Sequence, residues 1–192
     1  MDHMPEFIKE IENFISEDDC FDIVNYINNN KNDKNKFRKN YKKDRYDSQP
    51  QKNHDINQHM EILPILIRYH KKFLIECSRF FNIKEEIYPY ELWLSLMGPG
   101  TIGPLHKDNH YSAEQINFSG VIYLNDLFVG GELYFPDFNY SYKPKKNSLV
   151  IFSPDIYHEI KEVTEGYRYA MPLWGTKNKD YNFFKYISAY PL

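Results

Sequence analysis

Residues 116–126, INFSGVIYLND, and 148–175, SLVIFSPDIYHEIKEVTEGYRYAMPLWG, decide the fold. Apolar and aromatic side chains come there in short runs punctuated by Gly, Pro and Asn, too brief for helices and spaced as strands. ELWLSLM at 91–97 and GELYF at 131–135 are two more runs of the same kind. Aromatic residues make up 17% of the 192, and they suit pleated, half-buried surfaces. The pattern predicts an antiparallel sandwich or barrel of about a hundred residues after Pro89.

Towards the N-terminus the signals change. EFIKEIENFI at 6–15 predicts a strand. Ser16, followed by Glu17, Asp18 and Asp19, is an N-cap with acid in the first turn. The helix behind it is expected to bury Phe21, Val24 and Ile27 and to stop in Asn28–Asn30. From 31 to 55 the chain is polar and nearly structureless by pattern, and 31–45 holds eight Lys or Arg against two Asp, a local charge of +6. A second helix is predicted over 57–81 from Leu63, Leu66, Ile67, His70, Phe73, Leu74, Cys77 and Phe81, with Pro64 starting or kinking it. The class is α+β, two helices supporting a barrel. One domain is expected over 1–192: helical support and a mobile basic loop to 90, the barrel core at 91–176, then a C-terminal tail at 177–192.

Composition excludes several classes. With 24 Lys plus Arg and 27 Asp plus Glu the net charge is −3, which disfavours a nucleic-acid coat or a polybasic membrane binder. No apolar run is long enough to span a bilayer. MDHMPEFIKE lacks the charged-then-apolar pattern of a secretory signal, and Cys20 and Cys77 have no metal-type spacing. They read as reduced packing residues of a cytoplasmic protein.

His106-Lys107-Asp108 carries the chemistry. Two residues apart on a strand, imidazole and carboxylate reach one metal ion from the same face. With 7 His and 27 acidic residues, such a triplet arises by chance about once in the chain, so the neighbourhood decides. His59-Met60-Glu61 is a decoy in helix-like sequence. His158, 50 residues after Asp108, opens the strand-like run YHEIKEV. Two His and one carboxylate occupy three positions of an octahedral ion and leave three for a bidentate 2-oxo acid and dioxygen, which suits non-haem Fe(II). The far carboxylate of that acid needs a fixed cation, and Arg168 offers a guanidinium fork. A surface ion pair with Glu162 is the bland alternative for Arg168.

In order, MGPGTIGPLHKDN, VIYLN, GGELYFP, KPKKNSLVIF and HEIKEVTEGYRYAMPLW resemble the catalytic barrel of the 2-oxoglutarate- and Fe(II)-dependent oxygenases, closest to the prolyl 4-hydroxylase branch. The resemblance implies a double-stranded β-helix, a jelly roll of two facing sheets. In it the strands of His106 and His158 are neighbours, and a Val163–Gly166 link crosses to the strand of Arg168. By the same resemblance His106, Asp108 and His158 are iron ligands, Arg168 binds the 2-oxoglutarate C5 carboxylate, Tyr123 hydrogen-bonds that co-substrate, and Trp174 lies near its end of the pocket. Fe(II), 2-oxoglutarate, O2 and accessory ascorbate are the implied cofactors.

The implied reaction is hydroxylation of a prolyl residue in a protein or peptide. Where family members often carry tyrosine, this chain has Met97 before Gly98-Pro99-Gly100. A free amino acid as substrate is the alternative within the same chemistry. Nucleic-acid demethylation ranks lower, since Trp174 stands where that branch has a second arginine. A non-catalytic metal-binding barrel is the alternative outside it. Segment 31–45 reads as a solvated loop or as a lid over substrate. His110 reads as a loop residue, His3, His54, His59 and His70 as surface or packing residues, and Gly130-Gly131 as a tight connection.

Overall fold

The computed structural model describes residues 5–39, 44–48, 59–110 and 114–183. Strand β1 (Ile8–Ile11) leads into helix α1 (Glu17–Asn30), then β2 (Arg38–Lys39), β3 (Arg45–Asp47) and helix α2 (Leu63–Phe80). Ten more strands follow: β4 (Tyr88–Leu92), β5 (Ser95–Met97), β6 (Thr101–His106), β7 (Phe118–Tyr123), β8 (Phe128–Gly130), β9 (Leu133–Phe135), β10 (Tyr140–Tyr142), β11 (Leu149–Phe152), β12 (His158–Gly166) and β13 (Arg168–Thr176). The larger sheet runs β1-β11-β7-β13-β5-β3-β2, with β4 also paired to β13. The smaller runs β10-β9-β12-β6, with β8 on β12, and every strand pair is antiparallel. This is the jelly roll that the resemblance implies, and the antiparallel barrel that the strand pattern predicts.

Both faces of the larger sheet are covered, which is why its central strands read as unbroken apolar runs. Ile122, Leu149, Ile151, Met171 and Leu173 face the helices, while Val121, Tyr123, Val150, Phe152 and Ala170 face the barrel interior with Leu133 and Phe135. Alternation along each strand divides the two cores. Helix α2 comes close because Gly120 and Gly175 yield room: a Cβ would stand 2.5 Å from the Phe73 ring at one and 2.7 Å from Leu74 at the other.

The Ser16 N-cap forms as expected, its Oγ accepting from the Asp19 N–H, and Pro64 sits in the first turn of α2, starting rather than kinking it. Residues 57 and 58 of the expected second helix lie outside the described residues. Several expectations need correction. Phe21 is 65% exposed, because α1 turns Cys20, Ile23, Tyr26 and Ile27 inward instead. The described part of 31–55 is not structureless: β2 and β3 extend the larger sheet from β5, with Phe37 and Tyr46 buried, while 40–43 and 49–55 lie outside the described residues. ELWLSLM divides between β4 and β5, and the expected Val163–Gly166 link is strand, leaving Tyr167 alone to cross between sheets.

Candidate active site

The site is built where β6 and β12 pair. His106 and His158 are register partners, but the register slips between His158 and Ile160 and again before Val163. Such bulges re-aim a side chain next to a functional centre. Asp108 is not on the strand with His106, contrary to expectation. It lies in the bend beyond β6, pinned by its N–H donating to Pro154 O at 3.0 Å. The bend, not strand periodicity, brings carboxylate and imidazole together.

His106 Nε2 is 3.3 Å and His158 Nε2 3.7 Å from the same oxygen, Asp108 Oδ1. The three candidate ligand atoms all lie within 4.8 Å of one another. His106 Nδ1 is 2.7 Å from Pro104 O and His158 Nδ1 is 3.0 Å from Ile156 O. With each Nδ1–H donated to a backbone carbonyl, both Nε2 lone pairs are left for a metal. Among the described residues this is the one His/Cys/Asp/Glu cluster suited to an ion. Two neutral imidazoles and one carboxylate fit a divalent iron.

The environments differ around the three. The His158 side chain is 6% exposed and that of His106 is 44%, so one imidazole is walled in and the other opens to solvent. Phe152 and Phe135 rings border His158 at 4.8 and 6.2 Å, and its burial pushes the imidazole pKa down. Burial also works to raise the Asp108 carboxyl, but the His106 hydrogen bond, the His158 charge and a nearby Trp174 outweigh it, and the pKa ends low. Asp108 in turn raises the pKa of His106.

Arg168 begins β13 on the facing sheet and is 1% exposed. Its Nε donates to Gly131 O at 3.2 Å, its Nη1 reaches Met97 Sδ at 3.8 Å, and its guanidinium lies 5.0 Å from the Tyr123 ring centroid. Glu162 is exposed and makes no ion pair with it; among the described residues no carboxylate does. Burial pushes the arginine pKa down and Tyr123 partly offsets this, yet a guanidinium keeps its proton. The Tyr123 hydroxyl is buried beside the Arg168 guanidinium and, among the described residues, has no hydrogen-bond partner of good geometry. A buried cation without a counter-charge beside an unsatisfied hydroxyl is an anion site.

Trp174 does not join Arg168. Six residues further along β13, roughly 20 Å by strand rise, it packs edge-on against Trp93 at 5.1 Å and neighbours Asp108. Sequence reasoning also missed Arg45 of β3, whose Nη1 donates to Ile102 O of β6 at 3.1 Å while its Nε pairs with Asp47 at 2.7 Å. The three-residue strand RYD is too short for a periodic signal. His110 is exposed, whereas His59 and His70 are buried packing residues, on Tyr26 Oη and Trp174 O respectively. His3 and His54 lie outside the described residues. Gly130 and Gly131 have φ of +75° and +69°, and a Cβ on Gly130 would meet Glu162 O at 1.9 Å.

Residues 92–176 match the 2OG-Fe(II) oxygenase superfamily, the span that holds all three candidate ligands and Arg168. This barrel is a 2OG-Fe(II) oxygenase domain. Prolyl 3-hydroxylase 2 of Homo sapiens is 31% identical over 106 residues, covering 45% of this chain and 15% of that protein. Prolyl 3-hydroxylase 3 of Homo sapiens is 35% identical over 80 residues, covering 38% and 11%. The matched part of the chain thus spans 11–15% of the length of the curated relatives.

Solved structures share the oxygenase fold over most of the chain. A Trichoplax adhaerens prolyl hydroxylase, in complex with a hypoxia-inducible-factor peptide fragment, gives a TM-score of 0.69 at 15% identity, covering 92% of this chain and 86% of its own. The viral collagen prolyl hydroxylase of Paramecium bursaria Chlorella virus-1 gives 0.64 at 17%, covering 90% and 97%.

Proposed function

We propose that this oxygenase hydroxylates prolyl residues in a protein or peptide, using Fe(II), 2-oxoglutarate and O2. The observation that carries it is the pairing of a two-histidine, one-carboxylate cluster on one sheet with an uncompensated buried arginine on the other. His106, Asp108 and His158 would hold the ion. When bound, iron and 2-oxoglutarate supply the oxidising chemistry, in which the keto acid loses CO2 to give succinate and a C–H bond becomes C–OH.

The protein supplies position and dryness. Pro104 and Ile156 carbonyls fix the tautomer in which each Nε2 is a ligand. Arg168 binds the distal carboxylate of the co-substrate as a fork, and the Tyr123 hydroxyl donates to the same group. Met97 brings a thioether where a hydroxyl would add a contact, so Arg168 and Tyr123 carry that carboxylate between them. Phe135, Phe152 and Val150 exclude water from the interior. Prolyl substrates are supported by the prolyl hydroxylases that share this fold and sequence. Ascorbate as accessory reductant, and a cytoplasmic setting suited to the free buried Cys20 and Cys77, belong to the same proposal.

The test is iron-dependent succinate formation together with a mass gain of one oxygen on proline-containing peptides. Succinate without peptide oxidation would redirect the search to small molecules, and no succinate at all would end the enzymatic reading.

A further inference from the structure

We propose that Ser119 and Trp174, both on the larger sheet, are positioning residues that aim the Asp108 carboxylate at the metal. This rests on the oxygenase reading and adds how one of its ligands is held. The two histidines are tied by their own Nδ1 bonds, but the contact with Pro154 O pins only the backbone of Asp108 and leaves its side chain to rotate. Rotation matters, because Asp108 Oδ1 and both Nε2 atoms bring their lone pairs to one point. Such atoms repel one another until a cation comes between them. The carboxylate therefore needs donors on its other side.

The larger sheet supplies them. Along β7 and β13 side chains alternate between the helices and the barrel interior, and Ser119 falls on the interior side with Val121 and Tyr123, Trp174 with Ala170. Ser119 is the register partner of Phe152 on β11 and of Trp174 on β13. The three form a row across the sheet, spanning roughly 10 Å by strand spacing. Phe152 ends the row at His158, ring to ring at 4.8 Å, and Trp174 ends it at Asp108.

The two donors differ in kind. The Trp174 indole N–H can only donate, and it hydrogen-bonds the Asp108 carboxylate. Trp93 packs edge-on against that indole at 5.1 Å and fixes its plane. Ser119 is fully buried, and its hydroxyl lies beside the same carboxylate with no partner of good geometry among the described residues. A buried hydroxyl left so is costly, and a small rotation lets it donate to Asp108. Donors on the sheet side occupy carboxylate lone pairs that would otherwise compete for the ion. Asp108 then meets the ion through Oδ1, the oxygen it already presents to both imidazoles. Outer partners of this kind orient a ligand and raise its affinity for the metal.

The test titrates the full, metal-free chain anaerobically with Fe(II), and separately with Co(II) to record the visible absorption of the bound ion. Trp174→Phe removes the N–H and keeps an aromatic ring. Trp93→Phe makes the same change in the neighbouring indole, whose N–H has no partner among the described residues. Trp174→Phe and Ser119→Ala should each weaken Fe(II) binding about ten-fold, and together about 100-fold, with the Co(II) bands shifted. Trp93→Phe should do neither, although the loss of ring packing lowers the urea midpoint of both tryptophan variants. Wild-type Fe(II) affinity with an unchanged Co(II) spectrum in either Trp174→Phe or Ser119→Ala would overturn the proposal. So would equal weakening by the two tryptophan variants, which would make packing the cause and not the N–H. A wild-type chain that binds neither ion would overturn the oxygenase reading itself, so the two failures are distinct.

Discussion

The two ends of the barrel hold their functional groups by opposite means. At the metal end the groups are tethered: each histidine donates Nδ1–H to the carbonyl two residues before it, Asp108 hangs from Pro154 O, and one imidazole is open to solvent. At the arginine end the group is entombed, nearly free of solvent, with one backbone carbonyl, a thioether and an aromatic face around it. Tethering fixes direction and leaves room for exchange of ligands. Burial strengthens electrostatic attraction for an incoming carboxylate, at a cost in stability while the cation is alone. The two ends should therefore respond differently to mutation.

The largest effect is expected at the metal end. His158→Ala removes one of three ligands, so Fe(II) affinity should fall by more than the roughly 100-fold that losing an outer partner of a ligand can cost. Iron-dependent succinate formation should disappear. Calorimetric titration with Fe(II) under anaerobic conditions checks the first, and retained affinity would remove His158 from the centre.

Arg168 should separate binding from stability. Arg168→Lys replaces a fork by a point charge and is expected to raise the apparent KM for 2-oxoglutarate about ten-fold or more, with Fe(II) affinity unmoved. Arg168→Met deletes a buried, uncompensated charge. Unfolding in urea should show it about 1–4 kcal/mol more stable than the wild type while 2-oxoglutarate binding is lost. A less stable Met variant would mean that the arginine is satisfied in a way the arrangement does not suggest.

The helix layer titrates independently of the ligand atoms, although His70 bonds the backbone of Trp174. Burial lowers His59 and His70 to about 4 from an unfolded value of 6.5. Between these values the unfolded chain binds protons that the folded chain refuses. Stability is therefore full above pH 6.5 and declines as pH falls towards 4, by up to about 3 kcal/mol for each histidine. Urea unfolding at pH 7, 5.5 and 4.5 tests the slope, and His70→Gln should flatten it.

How much of this was legible in sequence follows from the same physics. Strands β7, β11, β12 and β13 announce themselves because apolar runs bounded by Gly, Pro and Asn have few other ways to fold. Helix α1 was visible through its cap, but its inward face was misjudged. Cys20 and Tyr26 carry half of that face, and neither registers as strongly apolar, whereas the exposed Phe21 does. Strands β2, β3, β8 and β10 have two or three residues each, so they exist by pairing with neighbours and leave no period to read. The residues expected as ligands were named correctly as neighbours, but the route was wrong for Asp108: a bend held by Pro154 O leaves no mark in a two-residue spacing. Trp174 was misplaced because position along a strand says little about which end of a cavity a side chain serves.

Gly131 gives the smallest and most selective way to probe the contrast. Its φ is +69°, and an added Cβ would stand 3.1 Å from Arg168 Cδ and 3.0 Å from the Phe128 ring. Its carbonyl also accepts from Arg168 Nε. Gly131→Ala thus strains the turn by about 1–2 kcal/mol and pushes on the arginine without touching a ligand of the metal. The expected result is a KM for 2-oxoglutarate raised several-fold, about three to five, with Fe(II) affinity unchanged. If both affinities fell together, the ends would be mechanically coupled through β12, which carries His158 at one end and packs against Gly130 at the other. If only the iron affinity fell, the division of labour between tether and burial would be reversed.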